Sequence, residues 1–410
     1  MDLLVKNAGL RKQQGLWSVQ VDGGKLQAIE KQTQSPVFPE ATTVIDAEGR
    51  LLTESFTNAH LHLDKVWTLK MMDEKALTAY QGGDMGKAMT AIELAAGVKS
   101  QYSTDWIIPN VHRAIELAAV HGNLHIRAFA DIDSKAGLVG IQGVLAGRDA
   151  FRGLVDVQAV AFPQDGVLRE PGTEELIREA MQLGADVVGG IPWIEFTDAN
   201  ALAHVQKMVA IAREFDKDVS MLVDDAGDAG LRTLEMLAVE AIKTGWQGRC
   251  LAQHARAMSL YPKPYFQKLA ALLKMAGLGV VSDPQTGPLH ARVKELLEEG
   301  VNVCLGQDDI SDAYYPYGRC NMLEVAFLAS HLLWMTSEAE MEQLYDMITI
   351  NGAKAMNIQN FGLAVGNDAN LVVLQQDNVV DALRHHAAPR YVISHGKLVA
   401  ESKLESTLIR

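Results

Sequence analysis

Cysteine is scarce in this 410-residue chain: Cys250, Cys304 and Cys320 are an odd number with no close pair and no CxxC. That usage argues against a disulfide framework and against a thiolate zinc site, and it points to the cytoplasm. No stretch approaches the roughly 18 uninterrupted apolar residues of a membrane span, and Met1 to Lys6 lacks a basic segment leading into a long apolar run. Neither a membrane partner nor a signal peptide is therefore expected. A basic stripe is also missing. Lys+Arg 37 against Asp+Glu 51 leaves a formal charge of -14, a surface that repels phosphate backbones, so nucleic acid is not expected as a partner. Internal repeats and low-complexity linkers are absent too.

What is present is an ordinary globular balance: 48% hydrophobic and 21% charged residues, with a mean hydropathy of +0.01. That composition excludes a wholly disordered chain. At roughly 100–200 residues per domain the length allows two to four domains, or one α/β barrel with additions.

The two ends share a texture of short strands and Gly-bearing turns. Leu3–Val5, Trp17–Val21, Leu26–Glu30 and Thr43–Ile45 read as strands, as do Asn370–Leu374 and Arg390–Ser394, with hairpin turns at Asp22-Gly23-Gly24-Lys25 and His395-Gly396-Lys397. Neither end has enough strands to bury a sheet face alone. Paired, residues 1–54 and 361–410 make one small discontinuous β-sandwich.

Residues 55–360 alternate β-rich runs with amphipathic helices. Eight strands are predicted, at Phe56–Leu63, His125–Ile132, Val157–Phe162, Asp186–Ile191, Asp218–Asp224, Cys250–His254, Gly279–Ser282 and Asn302–Asp308, with helices such as Thr173–Leu183 and Ala201–Phe215 between them. Eight strand–helix units predict a (β/α)8 TIM-type barrel.

Catalytic groups of such barrels sit at the C-terminal ends of the strands. The first strand ends His60-Leu61-His62, two imidazoles at i, i+2 and so on one side. The fifth ends Asp224-Asp225, the sixth at His254 and the eighth at Asp308. Imidazole nitrogens, a carboxylate and room for water are what a catalytic transition metal requires. Singly each residue has a bland reading, a packed histidine or an aspartate capping a turn; together, at separate strand ends, they point to a metal site. Trp193 and Tyr314 are read either as packing or as stacking against a planar ring.

The segment Ser55-Phe56-Thr57-Asn58-Ala59-His60-Leu61-His62-Leu63-Asp64-Lys65 resembles the first-strand motif of the amidohydrolase superfamily. The chain is most similar to its cytosine deaminase branch, which also contains the N-isopropylammelide amidohydrolases. Val160-Ala161-Phe162-Pro163-Gln164-Asp165-Gly166, Leu183 to Pro192, Gly306-Gln307-Asp308-Asp309-Ile310, Tyr314 to Gly318 and Gly362 to Leu371 fit in order, nearly end to end. The resemblance implies one divalent transition metal, zinc or iron, on His60, His62 and Asp308. It also implies His254 as the residue polarising water or substrate, and Gln164 as a substrate-binding amide. The implied reaction is deamination of a small nitrogen heterocycle: a metal-bound hydroxide attacks, Asp308 takes its proton, and an acid on the fifth strand protonates the ring and the leaving amine. Relatives are often oligomeric, so a homo-oligomer is a further expectation.

The fifth strand departs from the family. Relatives carry a ligating histidine and, three residues later, a glutamate; here these positions are Leu222 and Asp225. Two readings follow. In one, Asp224, two residues beyond Leu222 and so on its face of the strand, ligates the metal while Asp225 serves as the acid. In the other, metal affinity is weak or lost, and the protein binds a heterocycle without turning it over. A third reading keeps the metal and hydrolyses a cyclic amide or imide. The second strand ends Phe129-Ala130-Asp131, where cytosine deaminases carry a histidine, so a more apolar pocket is expected, with Asp131 either buried and hydrogen-bonded or functional.

Overall fold

The computed structural model describes residues 1–72 and 96–409. The N-terminal strands are β1 (Leu3–Leu10), β2 (Trp17–Asp22), β3 (Lys25–Lys31), β4 (Thr43–Asp46) and β5 (Leu51–Glu54). The barrel strands follow: β6 (Phe56–His62), β7 (Asn123–Asp131), β8 (Asp156–Phe162), β9 (Val187–Gly190), β10 (Asp218–Val223), β11 (Cys250–His254), β12 (Gly279–Ser282) and β13 (Val303–Leu305). The chain closes with β14 (Leu371–Val373), β15 (Tyr391–Ser394) and β16 (Lys397–Glu401).

The strands of both ends join in a single sheet of order β16-β15-β14-β5-β1-β2-β3, with β4 alongside β1. The join is β14 against β5, antiparallel, Leu371 opposite Glu54. At the β2–β3 turn Gly23 and Gly24 both take positive φ (56° and 76°), the geometry that a two-residue hairpin needs. One face of the sheet buries its own core of Leu3, Val5, Val19, Val21, Leu52, Leu371 and Ile393.

β6 to β13 lie side by side in chain order, all parallel. Strands buried on both faces carry no polar alternation, which is why they read as continuous apolar runs. β13 returns to β6 through Asp308 N–H donating to the His60 carbonyl (2.9 Å) and His62 N–H donating to that of Asp308 (2.7 Å). The (β/α)8 architecture thus closes at the two strands carrying the histidine pair and the aspartate. Gly306 makes that approach possible, because a Cβ there would stand 2.7 Å from the His60 Cβ. The outward faces of the strands pack on the surrounding helices in one large core. Among the described residues no helix is long and apolar enough to cross a membrane, and all three cysteines are buried and unpaired.

Candidate active site

The eight strands deliver their C-terminal ends to one mouth. On β6, Leu61 turns outward into the helix-packed core while His60 and His62 point inward, both buried, with ring centroids 5.0 Å apart. Asp308 follows β13: its Oδ1 lies 3.0 Å from His60 Nε2 and 3.9 Å from His62 Nε2. Its Oδ2 accepts a hydrogen bond from Thr286 Oγ1 (2.8 Å). His254, the last residue of β11, stands with its ring centroid 4.8 Å from that of His60. Asp225 joins the group, with Oδ2 3.9 Å from His254 Nε2 and Oδ1 accepting from Arg256 Nε (2.6 Å). His254 and Asp308 both take left-handed backbone (φ 66° and 68°). Such conformations cost roughly 1–3 kcal/mol each and cluster where function demands them.

Burial holds His60 below the ordinary imidazole range and, with help from Lys65, puts His62 well below it. His254 is lowered by burial as well. All three are therefore neutral imidazoles, the form that binds a metal. His60 Nδ1 and His62 Nδ1 meet no hydrogen-bonding partner, and neither does His60 Nε2 in hydrogen-bonding geometry. Burial works against ionising Asp308, but His254 and His60 outweigh it and keep its carboxyl well below the usual range. Burial raises Asp225. Nitrogen and carboxylate donors at this spacing fit a zinc- or iron-type ion.

The structure does not bring Asp224 into this group. β10 ends at Val223, and Asp224 turns its carboxylate to the start of the helix Thr233–Thr244. Oδ1 accepts from Thr233 N (2.6 Å), Thr233 Oγ1 (2.7 Å) and Leu234 N (3.3 Å), and Oδ2 accepts from Tyr261 Oη (2.6 Å). Leu222 does face the barrel interior, but there it packs with Phe129, Val160, Phe162, Val187, Ile191 and Ile194 in an apolar wall that Trp193 and Tyr314 flank. That wall, on strands two to five, faces the polar donors of strands one, six, seven and eight. Beside it Lys65 Nζ donates to Asp131 (2.9 and 3.1 Å) and to Gln164 Oε1 (3.3 Å). Asp131 is thus the buried partner of Lys65 and Lys99, and Gln164 is buried beside it on the same lysine as Asp131, Lys65.

Two residues outside the sequence-based candidate set are close to the histidines. Asp283, just after β12, lies with Oδ1 2.9 Å and Oδ2 2.7 Å from His254 Nδ1. Arg256 Nη2 lies 3.5 Å from Asp283 Oδ1 and 3.5 Å from Asp308 Oδ2. Burial together with the neighbouring Asp308 pushes the Asp283 carboxyl up to about 8. The signal for Asp283 was its place right behind the seventh strand, one residue past the apolar run.

The amidohydrolase family model matches residues 43–400. The N-isopropylammelide isopropyl amidohydrolase of Pseudomonas sp. (strain ADP) is 28% identical over 404 residues, 98% of each chain. The crystal structure of 5-methylcytosine deaminase from Klebsiella pneumoniae liganded with phosphonocytosine superposes with a TM-score of 0.90 at 30% identity, covering 99% of this chain and 100% of that one. The N-isopropylammelide isopropylaminohydrolase of Burkholderia multivorans shares the fold, with a TM-score of 0.84 at 24% identity over 98% of this chain and 99% of that one. The chain belongs to the amidohydrolase family.

Proposed function

We propose that this amidohydrolase removes an amine from a small planar nitrogen heterocycle by metal-dependent hydrolysis, water adding to the ring carbon as ammonia or an alkylamine leaves. The observation that carries the reading is the convergence of His60, His62, His254 and Asp308 from three strands on one buried point. Deamination of 5-methylcytosine and hydrolysis of N-isopropylammelide, the activities that the relatives are named for, are chemistry of this kind. Residues 55–360 form the hydrolase unit, with 1–54 and 361–410 as its accessory sheet. Three buried, unpaired thiols suit the cytoplasm.

His60, His62 and Asp308 would hold the ion, which would supply a water nucleophile at neutral pH. Asp308 Oδ1 receives the proton of the attacking water while Thr286 steadies Oδ2. His254 directs Nδ1 at Asp283, which leaves Nε2 for the water or the substrate oxygen. Asp225, raised by burial and 3.9 Å from that Nε2, carries a proton to the ring nitrogen and then to the leaving amine. On the opposite side the ring rests on the apolar wall. The Lys65 bond to Gln164 Oε1 turns the Gln164 amide N–H groups to the substrate. The Trp193 indole N–H is buried without a partner, and Tyr314 closes the flank.

Protein purified without chelator and reconstituted with zinc, iron or manganese is expected to release ammonia or alkylamine from members of a panel of pyrimidines, triazines and pterins. Binding of less than about a tenth of an equivalent of any of these metals would overturn the enzyme reading and leave that of a ligand-binding relative. Metal uptake with ring opening but no amine release would favour the cyclic-amide reading.

A further inference from the structure

Three protein donors, His60, His62 and Asp308, are one fewer than the family pattern, in which the fifth strand adds a histidine. Leu222 occupies the fifth-strand position where relatives carry a histidine, and both oxygens of Asp224 are engaged by Thr233, Leu234 and Tyr261. A different carboxylate is in reach. His60, His254, Asp283 and Asp308 each offer one donor atom, and these four atoms all lie within 4.8 Å of one another. All four residues are buried.

We propose that Asp283 is a metal ligand, replacing from the seventh strand the donor that the fifth strand has lost. The ion would then be bound mainly from β6, β11, β12 and β13. Two observations support the assignment. Asp283 Oδ2 is buried and meets no donor in hydrogen-bonding geometry, and the same holds for His60 Nε2. Such atoms are costly unless something absent from the bare chain engages them. In addition, Asp283 is held firmly, between the end of β12 and Pro284, with Oδ1 hydrogen-bonded to His254 Nδ1.

The proposal rests on the metal-dependent reading above, and the experiment separates the two. Metal affinity is measured by chelator competition, and the visible spectrum is recorded after cobalt(II) substitution, for the native protein, Asp283→Ala, Asp283→Asn and Asp283→Ala/Leu222→His. Asp283→Asn keeps an acceptor for His254 and removes the charged ligand. A residue that merely orients a ligand costs roughly 10–100-fold in metal affinity when lost. Asp283→Ala and Asp283→Asn are each expected to lose more than about 100-fold and to change the cobalt spectrum, and Leu222→His is expected to restore binding to Asp283→Ala. Native-like affinity in both single variants, or weakened affinity with an unchanged cobalt spectrum, overturns the assignment and leaves the hydrolase reading intact. A native protein that takes up no divalent metal overturns both. Far-UV circular dichroism of each variant establishes that it is folded.

Discussion

Replacing Asp224 separates a fold-holding carboxylate from a metal-holding one. Asp224→Ala removes the acceptor for two amides at the start of the helix Thr233–Thr244 and for the hydroxyls of Thr233 and Tyr261. The Tyr261 hydroxyl has another outlet: its Oη also donates to the Leu231 carbonyl at 2.9 Å. The amides of Thr233 and Leu234 do not, and a stranded buried donor costs roughly 1–3 kcal/mol. Asp224 also has left-handed backbone, φ 49°, where alanine is worse than aspartate by about 1 kcal/mol. The expected loss is about 3–7 kcal/mol. Asp224→Asn supplies an acceptor to both amides, tolerates the left-handed conformation and can donate to Tyr261 Oη, so its cost is about 1 kcal/mol. Urea unfolding of chelator-treated protein isolates this contribution from that of bound metal, and metal analysis of the untreated protein is run on the same preparations. The reasoning is refuted if Asp224→Ala keeps its urea midpoint while losing metal as completely as His60→Ala.

Other perturbations test neighbouring parts of the argument. Gly306→Ala brings a methyl to 2.7 Å from the His60 Cβ and 3.1 Å from Val281 Cγ1; it should cut metal affinity and amine release at least about tenfold while the circular dichroism stays native, and full activity would show that His60 has room to move. Leu222→His in the otherwise native chain should tighten metal binding in chelator competition but lower stability by about 1–3 kcal/mol, because it puts a polar ring into the wall of Phe129, Phe162 and Ile191. Acid should destabilise the protein from about pH 6.5 downward. His125, on β7, is lowered by burial to about 4, so between those values the unfolded chain takes up a proton that the folded chain refuses. Stability then falls by about 1.4 kcal/mol for each pH unit crossed, so this one group withdraws about 3 kcal/mol by pH 4. His125→Gln should flatten the fall in stability over that window, and an unchanged slope in urea titrations at pH 7 and pH 4.5 would refute the assignment.

The barrel was legible because its strands are buried on both faces. A strand such as Val157–Phe162 or Cys250–His254 then shows as a mostly apolar run, interrupted only by Gln158 in the first and by Gln253 and His254 at the end of the second, and the observed bounds fall within a few residues of the predicted ones. The convergence of His60, His62, His254 and Asp308 was legible for a related reason, since in a parallel barrel every strand end arrives at the same mouth. Asp283 was harder to see. It stands one residue beyond β12, and what gives it meaning is the proximity of His254 and Asp308, 29 and 25 residues away in the chain.

Asp224 shows where parity arguments stop. Counting i, i+2 from Leu222 places Asp224 on the same face, and that arithmetic holds only while the backbone stays extended. The ladder with β11 runs as far as Val223 opposite His254, and the next residue swings to φ 49°. One left-handed residue redirects its side chain from the barrel mouth to the helix outside, while Asp225 comes round to face His254. His254 and Asp308 leave their strands through the same kind of turn, yet their side chains stay at the mouth. Strand periodicity therefore locates the rim of such a site well and the orientation of its last residues poorly. Turning Asp224 back would require breaking four hydrogen bonds at once, whereas the carboxylate of Asp283 already stands at the rim beside His60, His254 and Asp308.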